Sequence, residues 1–180
     1  RVAGYTLEEL VSHNHNIVRH PDMPKAAFRD LWEHIKKGQA WRGAVKNRCK
    51  DGRYYWVYAL VAPVDGGYVS TRMKPTSELH QKVIEVYKEL LQEEQNGLNP
   101  KASAERLLEM LKGLGFASYA AFQATAIASE VESRARQLGR PIDQLQKRFL
   151  DMSRAIAQVQ VETSEMTEAF KAIRTVPMNM

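Results

Sequence analysis

Residues 41–74 read WRGAVKNRCKDGRYYWVYALVAPVDGGYVSTRMK, and this stretch decides the fold of the N-terminal part of the chain. Its runs of aromatic and β-branched residues are separated by Lys50-Asp51-Gly52-Arg53 and by Asp65-Gly66-Gly67, which are typical of tight turns. The pattern predicts strands over 41–48, 54–63 and 68–74. We therefore expect a three-stranded antiparallel meander.

Two helices are predicted before this meander. Thr6 and Glu9 have the spacing of a capping box, so a short helix is expected to follow Gly4. Beyond Pro21 and Pro24, apolar residues recur at helical spacing from residue 27 to residue 35, and Gly38 ends the pattern. Residues 1–76 are thus predicted to form one α+β domain.

After Pro75 the hydrophobic periodicity becomes helical. One amphipathic helix carries Leu79 and Leu90 on one face, and residues 96–100 interrupt it. Two further helices are predicted over 102–112 and 117–138. We interpret 77–138 as a helical linker region, which makes the remainder of the chain all-α.

Residues 139–180 carry the clearest repeat in the chain. Apolar or small residues are spaced three and four apart over four heptads, a pattern typical of a coiled coil or a helical bundle. The members of this seam are Ile142, Leu145, Phe149, Met152, Ile156, Val159, Thr163, Met166, Phe170 and Ile173. The punctuation at Gly139-Arg140-Pro141 predicts the start of this helix.

Composition narrows the class of protein. Hydrophobic residues make up 44% and charged residues 26%, which indicates a folded chain. The net charge of +5 arises in residues 1–76, which hold 13 Lys and Arg against 7 Asp and Glu. No nucleic-acid-binding pattern accompanies this excess, whereas a phosphate-bearing cofactor would suit it. The apolar runs are too short for a membrane span, and the lone Cys49 fits the cytoplasm.

A polar loop over residues 13–24 is the first candidate for chemistry. Its three histidines suggest a metal, but their spacing does not match a helical ligand pair and no cysteine is adjacent, so we expect no metal site. A solvated loop without a ligand is the simpler alternative. Asp22 could alternatively cap the helix that follows Pro24.

The same loop carries a family resemblance. His15-Asn16-Ile17-Val18-Arg19-His20-Pro21-Asp22-Met23-Pro24, with Trp41-Arg42-Gly43 and the 52–56 turn and strand in register, resembles the PAS domain of bacterial aerotaxis transducers. The resemblance covers residues 4–76. Domains of this family carry two strands before the first helix that this sequence does not contain, so we expect an incomplete sheet or one completed by a partner.

This resemblance implies a cofactor and a set of residues that bind it. Members of the family hold FAD non-covalently and report its redox state to a chemotaxis signalling module. Carried over by position, the motif residues Arg19, His20 and Asp22 and the pocket residues Trp41 and Asn47 are implied as flavin-binding. Weaker candidates are Asn16, Trp32 and Trp56, and each tryptophan has a packing role as its alternative.

The function expected from the resemblance is that of a cytoplasmic sensory module of a chemotaxis receptor. We expect a homodimer through the helices and the PAS domain, with the chemotaxis kinase and adaptor docking outside these residues. Two alternatives stay open, a ligand-free PAS dimerisation module and a haem-binding PAS sensor with an axial histidine. No paired nucleophile and base or glycine-rich phosphate loop is present, so we do not expect an enzyme.

Overall fold

The computed structural model describes residues 2–11, 13–116 and 118–174 and confirms the predicted architecture, an α+β domain followed by helices. The chain divides into two compact units, Arg1–Glu109 and Met110–Met180. The helices are α1 (Leu7–Val11), α2 (Lys25–Lys36), α3 (Glu78–Gln95), α4 (Pro100–Gly113), α5 (Tyr119–Gln137) and α6 (Gln144–Arg174). The strands are β1 (Trp41–Arg48), β2 (Tyr54–Val64) and β3 (Gly67–Met73).

The three strands form the antiparallel meander predicted from the sequence, in the order β1-β2-β3. Trp41 lies opposite Val61, and Ala59 lies between Gly43 on one side and Arg72 on the other. Because side chains alternate along a strand and paired residues share a face, this register places the odd-numbered residues of β1 and β2 on one face together with the even-numbered residues of β3. The β1–β2 turn contains Gly52 with a φ of 88°, a conformation that favours glycine.

The core of the first unit lies between this face of the sheet and α2. It contains Trp41, Val45, Val57, Ala59, Val61 and the α2 residue Ile35. The opposite face of β2 meets α3, where Trp56 makes ring contacts with His80 and Tyr87. The sheet is therefore covered by a different helix on each side.

Local interactions explain where the first elements begin. The backbone N–H of Thr6 donates to Glu9 Oε2 at 2.9 Å, and the N–H of Glu9 donates to Thr6 Oγ1 at 3.3 Å, which completes the predicted capping box. A short 3₁₀ helix, His15–Val18, then leads into residues that pair with β1 through an Arg19–Asn47 bridge. The polar loop is thus attached to the edge of the sheet.

In the second unit, the start of α6 differs from the prediction. The helix begins at Gln144, not at Gly139-Arg140-Pro141, because Asp143 provides the cap. The Asp143 Oδ1 atom accepts a hydrogen bond from the N–H of Leu145 at 3.0 Å. A short polar side chain with an N-cap preference outweighs the preference of proline for the first turn.

The apolar seam of α6 is exposed, whereas another face of the helix contacts α5. Arg154 donates to Glu132 of α5 at 3.1 Å, and Val161 is buried. The exposed fractions along the seam lie between 51% and 66% for the residues Leu145, Phe149, Met152, Ile156, Val159, Met166, Phe170 and Ile173. Among the described helices, none combines the length and apolar character that crossing a membrane requires.

Gly43 permits the packing of the largest core side chain. The Trp41 ring lies over Gly43, and a Cβ atom built on this glycine would come within 2.4 Å of two ring carbons of Trp41. We predict that Gly43→Ala lowers the free energy of unfolding by about 1–3 kcal/mol, because an overpacked core must distort.

Urea unfolding followed by tryptophan fluorescence measures this effect in the first unit, which contains all three tryptophans. Gly67→Ala is the matched control, since a Cβ at Gly67 meets nothing within 4 Å and the expected change is about 0.5 kcal/mol or less. Equal stabilities of the two variants would contradict the packing argument.

Candidate functional site

A cleft of about 680 Å³ lies between α2, the 3₁₀ helix and the face of the sheet that carries Trp41, Val61 and Ser70. Its apolar walls come from three α2 residues and from strands β1 and β2. These lining residues are Phe28, Leu31, Ile35, Trp41, Val45, Ala59 and Val61. An apolar cleft of this volume is the size that small-molecule and cofactor sites have.

Asn47 places a buried amide in the cleft wall. Its side chain is 1% exposed. In the amide orientation that satisfies its neighbours, Oδ1 accepts from Arg72 Nη1 at 2.9 Å and Nδ2 donates to the Val18 carbonyl at 3.3 Å. Tyr55, opposite Asn47 on β2, also hydrogen-bonds to this side chain, so three neighbours hold the amide in the cleft wall.

Two guanidinium groups line the cleft. Arg19 lies with its Cζ atom 3.5 Å from the centre of the Phe28 ring, and Arg72 projects from β3. Within the described part of the chain, neither forms an ion pair with a carboxylate. Burial lowers the pKa of both groups, so the surroundings penalise these charges without an acidic partner to offset the cost.

His15 lies between these two cations. Arg72 Nη2 donates to its ring Nε2 at 2.9 Å. The pKa of His15 is lowered, first by burial and then by the charges of Arg72 and Arg19. A neutral imidazole therefore accepts a hydrogen bond from Arg72, and the cleft has a positive charge excess that suits an anionic ligand.

Asp30 on α2 fixes the orientation of Trp41. The indole Nε1 of Trp41 donates to Asp30 Oδ2 at 2.6 Å, and His34 Nδ1 lies 3.3 Å from Asp30 Oδ1. Burial raises the pKa of Asp30, while His34 and the indole N–H act in the opposite direction. Trp41 thus presents a fixed aromatic surface to the cleft.

His20 and Asp22 do not line the cleft. The His20 ring packs edge-on against Tyr54, and its Nδ1 accepts from the Asp22 N–H at 3.1 Å. Asp22 accepts from Lys46 Nζ at 2.6 Å, and this contact is the main cause of the lowered pKa of Asp22. These residues hold the polar loop to β1, and Asp22 does not cap α2.

The structure brings five of the predicted site residues to one cleft, namely Asn16, Arg19, Trp32, Trp41 and Asn47. Trp32 is at the rim, 44% exposed, with its ring against Tyr68. Trp56 lies on the other face of the sheet, against α3. Of the residues that the structure describes, no three His, Cys, Asp or Glu side chains are grouped to hold a metal ion.

The comparisons with known proteins agree with this geometry. A family model described as the PAS fold matches residues 1–74. Residues 1–74 are a PAS domain. The aerotaxis receptor of Escherichia coli (strain K12) is 52% identical over 95 residues, which cover 50% of this chain and 19% of that protein. The predicted membership of this PAS domain in the aerotaxis transducer family is confirmed.

Two further proteins are similar to parts of this chain. The nitrogen fixation regulatory protein of Klebsiella pneumoniae is 30% identical over 64 residues, which cover 36% of this chain and 13% of that protein. The light-state structure of the blue-light photoreceptor Aureochrome1 LOV has 27% identity and a TM-score of 0.38, covering 53% of this chain and 73% of that chain. The chain spans less than a fifth of the length of the two curated relatives.

Sequence reasoning missed two residues of the PAS cleft. The sequence pattern places Arg72 in a predicted strand without a ligand role, and it offers His15 only as a possible metal or haem ligand. Strand alternation could have found Arg72, since it lies two residues after Ser70 on the face that β3 shares with Val61. The role of His15 depends on a contact across 57 residues of chain, which no local pattern reveals.

We predict that Arg72→Gln raises the pKa of His15, because it removes a positive charge beside the imidazole. NMR titration of the His15 ring protons measures the change. Because the pKa of His15 is lowered in the folded chain, its contribution to stability is present above the ordinary imidazole pKa and is lost as the pH falls below it.

Arg53→Gln is the control for this titration, since Arg53 pairs with Asp51 in the β1–β2 turn. It should leave the His15 titration unchanged. Identical His15 titrations in the wild type and in Arg72→Gln would show that the charge of Arg72 does not act on this imidazole.

Proposed function

We propose that this chain is a sensory and signalling module of a chemotaxis receptor, in which the PAS cleft binds FAD and reports its redox state to the helices. One observation carries the proposal, the pair of guanidinium groups, Arg19 and Arg72, that reach the cleft without a carboxylate partner in the described residues. The relationship to the aerotaxis receptor supports the sensory role. We propose a signalling role in the cytoplasm, not catalysis.

The donor set of the cleft fits a flavin nucleotide. A planar aromatic ring needs apolar walls and a few placed polar groups, and Trp41, Val45 and Asn47 provide them. Phosphate groups favour guanidinium donors, which Arg19 and Arg72 supply. His20 and Asp22 would act indirectly, by holding the loop that carries Arg19 against β1.

When bound, the flavin supplies a redox reaction that changes the charge and the protonation of its ring. The residues of this chain would respond through hydrogen bonds. The Asn47 amide lies between Arg72 and the Val18 carbonyl, so any reorientation of this amide affects a contact to β3. Because β3 ends at Met73 and α3 begins at Glu78, a displacement of Arg72 has a short path to α3.

FAD binding is tested first by absorption. We expect the purified chain to show flavin bands, with FAD released on heating at a ratio near one per chain. A Soret band would instead support the haem alternative. The absence of any chromophore, together with no binding of added FAD, would refute the flavin proposal.

The role of the two arginines is tested by comparing FAD with riboflavin, which lacks phosphate. We predict that Arg19→Gln and Arg72→Gln each weaken FAD binding by about tenfold or more, because each removes a charge-assisted hydrogen bond. Riboflavin binding should change much less. Arg53→Gln is the control, and equal losses for both ligands would contradict a phosphate-binding role.

A second candidate function, ligand-free dimerisation, is favoured by the exposed apolar seam of α6. A stripe of this kind is typical of a helix that packs on a partner. Such a dimer is also compatible with the sensory proposal, and we propose that the seam pairs two copies of the chain. The kinase and the adaptor would dock outside these residues.

We predict that Phe149→Glu shifts the chain towards the monomer, because it places a charge within the proposed interface. Sedimentation analysis over a range of protein concentrations measures the shift. Gln158→Glu on α6 lies outside the seam and makes the same change in charge, so it should leave the association unchanged. A monomeric wild type would contradict pairing through the seam.

A further inference from the structure

The N-terminus of α2 is capped from a distant part of the chain. The N-cap residue Pro24 makes no side-chain cap hydrogen bond. Instead, the N–H of Lys25 donates to Glu94 Oε2 at 2.8 Å and the N–H of Ala26 donates to Glu94 Oε1 at 3.1 Å. A carboxylate at this position also interacts favourably with the positive end of the helix dipole. Glu94 thus replaces the local cap that α2 lacks.

The same carboxylate also contacts α4. Ser103 Oγ donates to Glu94 Oε1 at 2.5 Å. The side chain of Ser103 is fully buried, so this hydrogen bond is shielded from water. One carboxylate on α3 therefore connects the first turn of α2 with Ser103, near the start of α4.

The helix that Glu94 caps is a wall of the cleft. Phe28, which lies under the Arg19 guanidinium, is two residues beyond the capped Ala26 N–H. Leu31 and Ile35 line the cleft from the same helix. A shift of α2 that accompanies a change in the cleft must therefore change the Glu94 hydrogen bonds or move Glu94 with it.

The adjacent residue Glu93 provides a contrast. Its carboxylate accepts from Arg106 Nε at 3.0 and 3.1 Å, so it also joins α3 to α4. Those contacts do not involve α2. Glu93 thus joins only α3 to α4. Glu94 joins both of these helices to α2, which lines the cleft.

We propose that Glu94 is the positioning residue that couples the cleft-lining helix α2 to the α3–α4 corner, so that a displacement of α2 reaches this corner through one carboxylate. The physiological signal in this scheme rests on the proposed function of the cleft. The mechanical coupling does not require a flavin. Ser103→Ala and Glu94→Ala interrupt it at different points.

Hydrogen exchange of the full chain, compared between oxidised and reduced FAD, tests the coupling. In the wild type, reduction should change amide exchange both in residues 29–36 of α2, whose N–H groups Glu94 does not bind, and in residues 100–106. Glu94→Ala should keep the response of 29–36 and lose the response of 100–106. Ser103→Ala, which leaves the α2 cap in place, should lose the same response, and Glu94→Gln should restore part of it.

Glu93→Gln is the matched control, with the same helix, the same change in charge and a contact to α4. It should keep both responses. Persistence of the 100–106 response in both Glu94→Ala and Ser103→Ala would overturn the coupling role. Loss of that response in Glu93→Gln would also overturn it, because any weakening of the α3–α4 corner would then suffice.

A second perturbation separates this proposal from the flavin proposal. Phe28→Leu alters the cleft wall without any ligand, and the same exchange measurement is made on the flavin-free chain. If the chain binds no flavin but Phe28→Leu changes exchange in 100–106 only when Glu94 is present, the flavin proposal fails and the coupling stands. No response of 100–106 to Phe28→Leu or to reduction in the wild type would refute the coupling.

Discussion

The hydrogen bond between the Trp41 indole and Asp30 is the interaction on which the first unit depends. Trp41 is fully buried on β1 with its ring against Gly43, and its indole N–H donates to Asp30 of α2 at 2.6 Å. An unpaired indole N–H or carboxylate at this depth would be costly. The pair therefore fixes α2 relative to the sheet and leaves the cleft between them.

The positive charge of the cleft follows from the contacts of the loop that lines it. The loop over residues 13–24 is attached to β1 by the Arg19–Asn47 bridge and by the contact of Asp22 with Lys46. The carboxylate of Asp22 is paired with Lys46 outside the cleft. The cations on the inside, Arg19 and Arg72, are then left without a carboxylate among the described residues, and the cleft favours an anionic ligand.

Local sequence signals predicted most of the fold, because strands, turns and helix caps depend on neighbouring residues. The three strands and the Thr6–Glu9 capping box are examples. Contacts between distant residues were not predictable in this way. The cap of α2 by Glu94 spans 68 residues, and the Arg72–His15 contact spans 57. The family resemblance anticipated the cleft residues Arg19, Trp41 and Asn47. Only the structure shows that His20 and Asp22 lie outside the cleft and hold the loop to β1.

The helix α3 receives contacts from both walls of the cleft, and this arrangement makes it the natural receiver of a signal. Its first residue, Glu78, follows β3, the strand that carries Arg72. Near its other end, Glu94 binds the first turn of α2. Between these points Trp56 packs against His80 and Tyr87, so the sheet supports the middle of the helix. A helix held at both ends and supported between them can shift as a unit when either wall moves, whereas a helix attached at one end would fray at its free end.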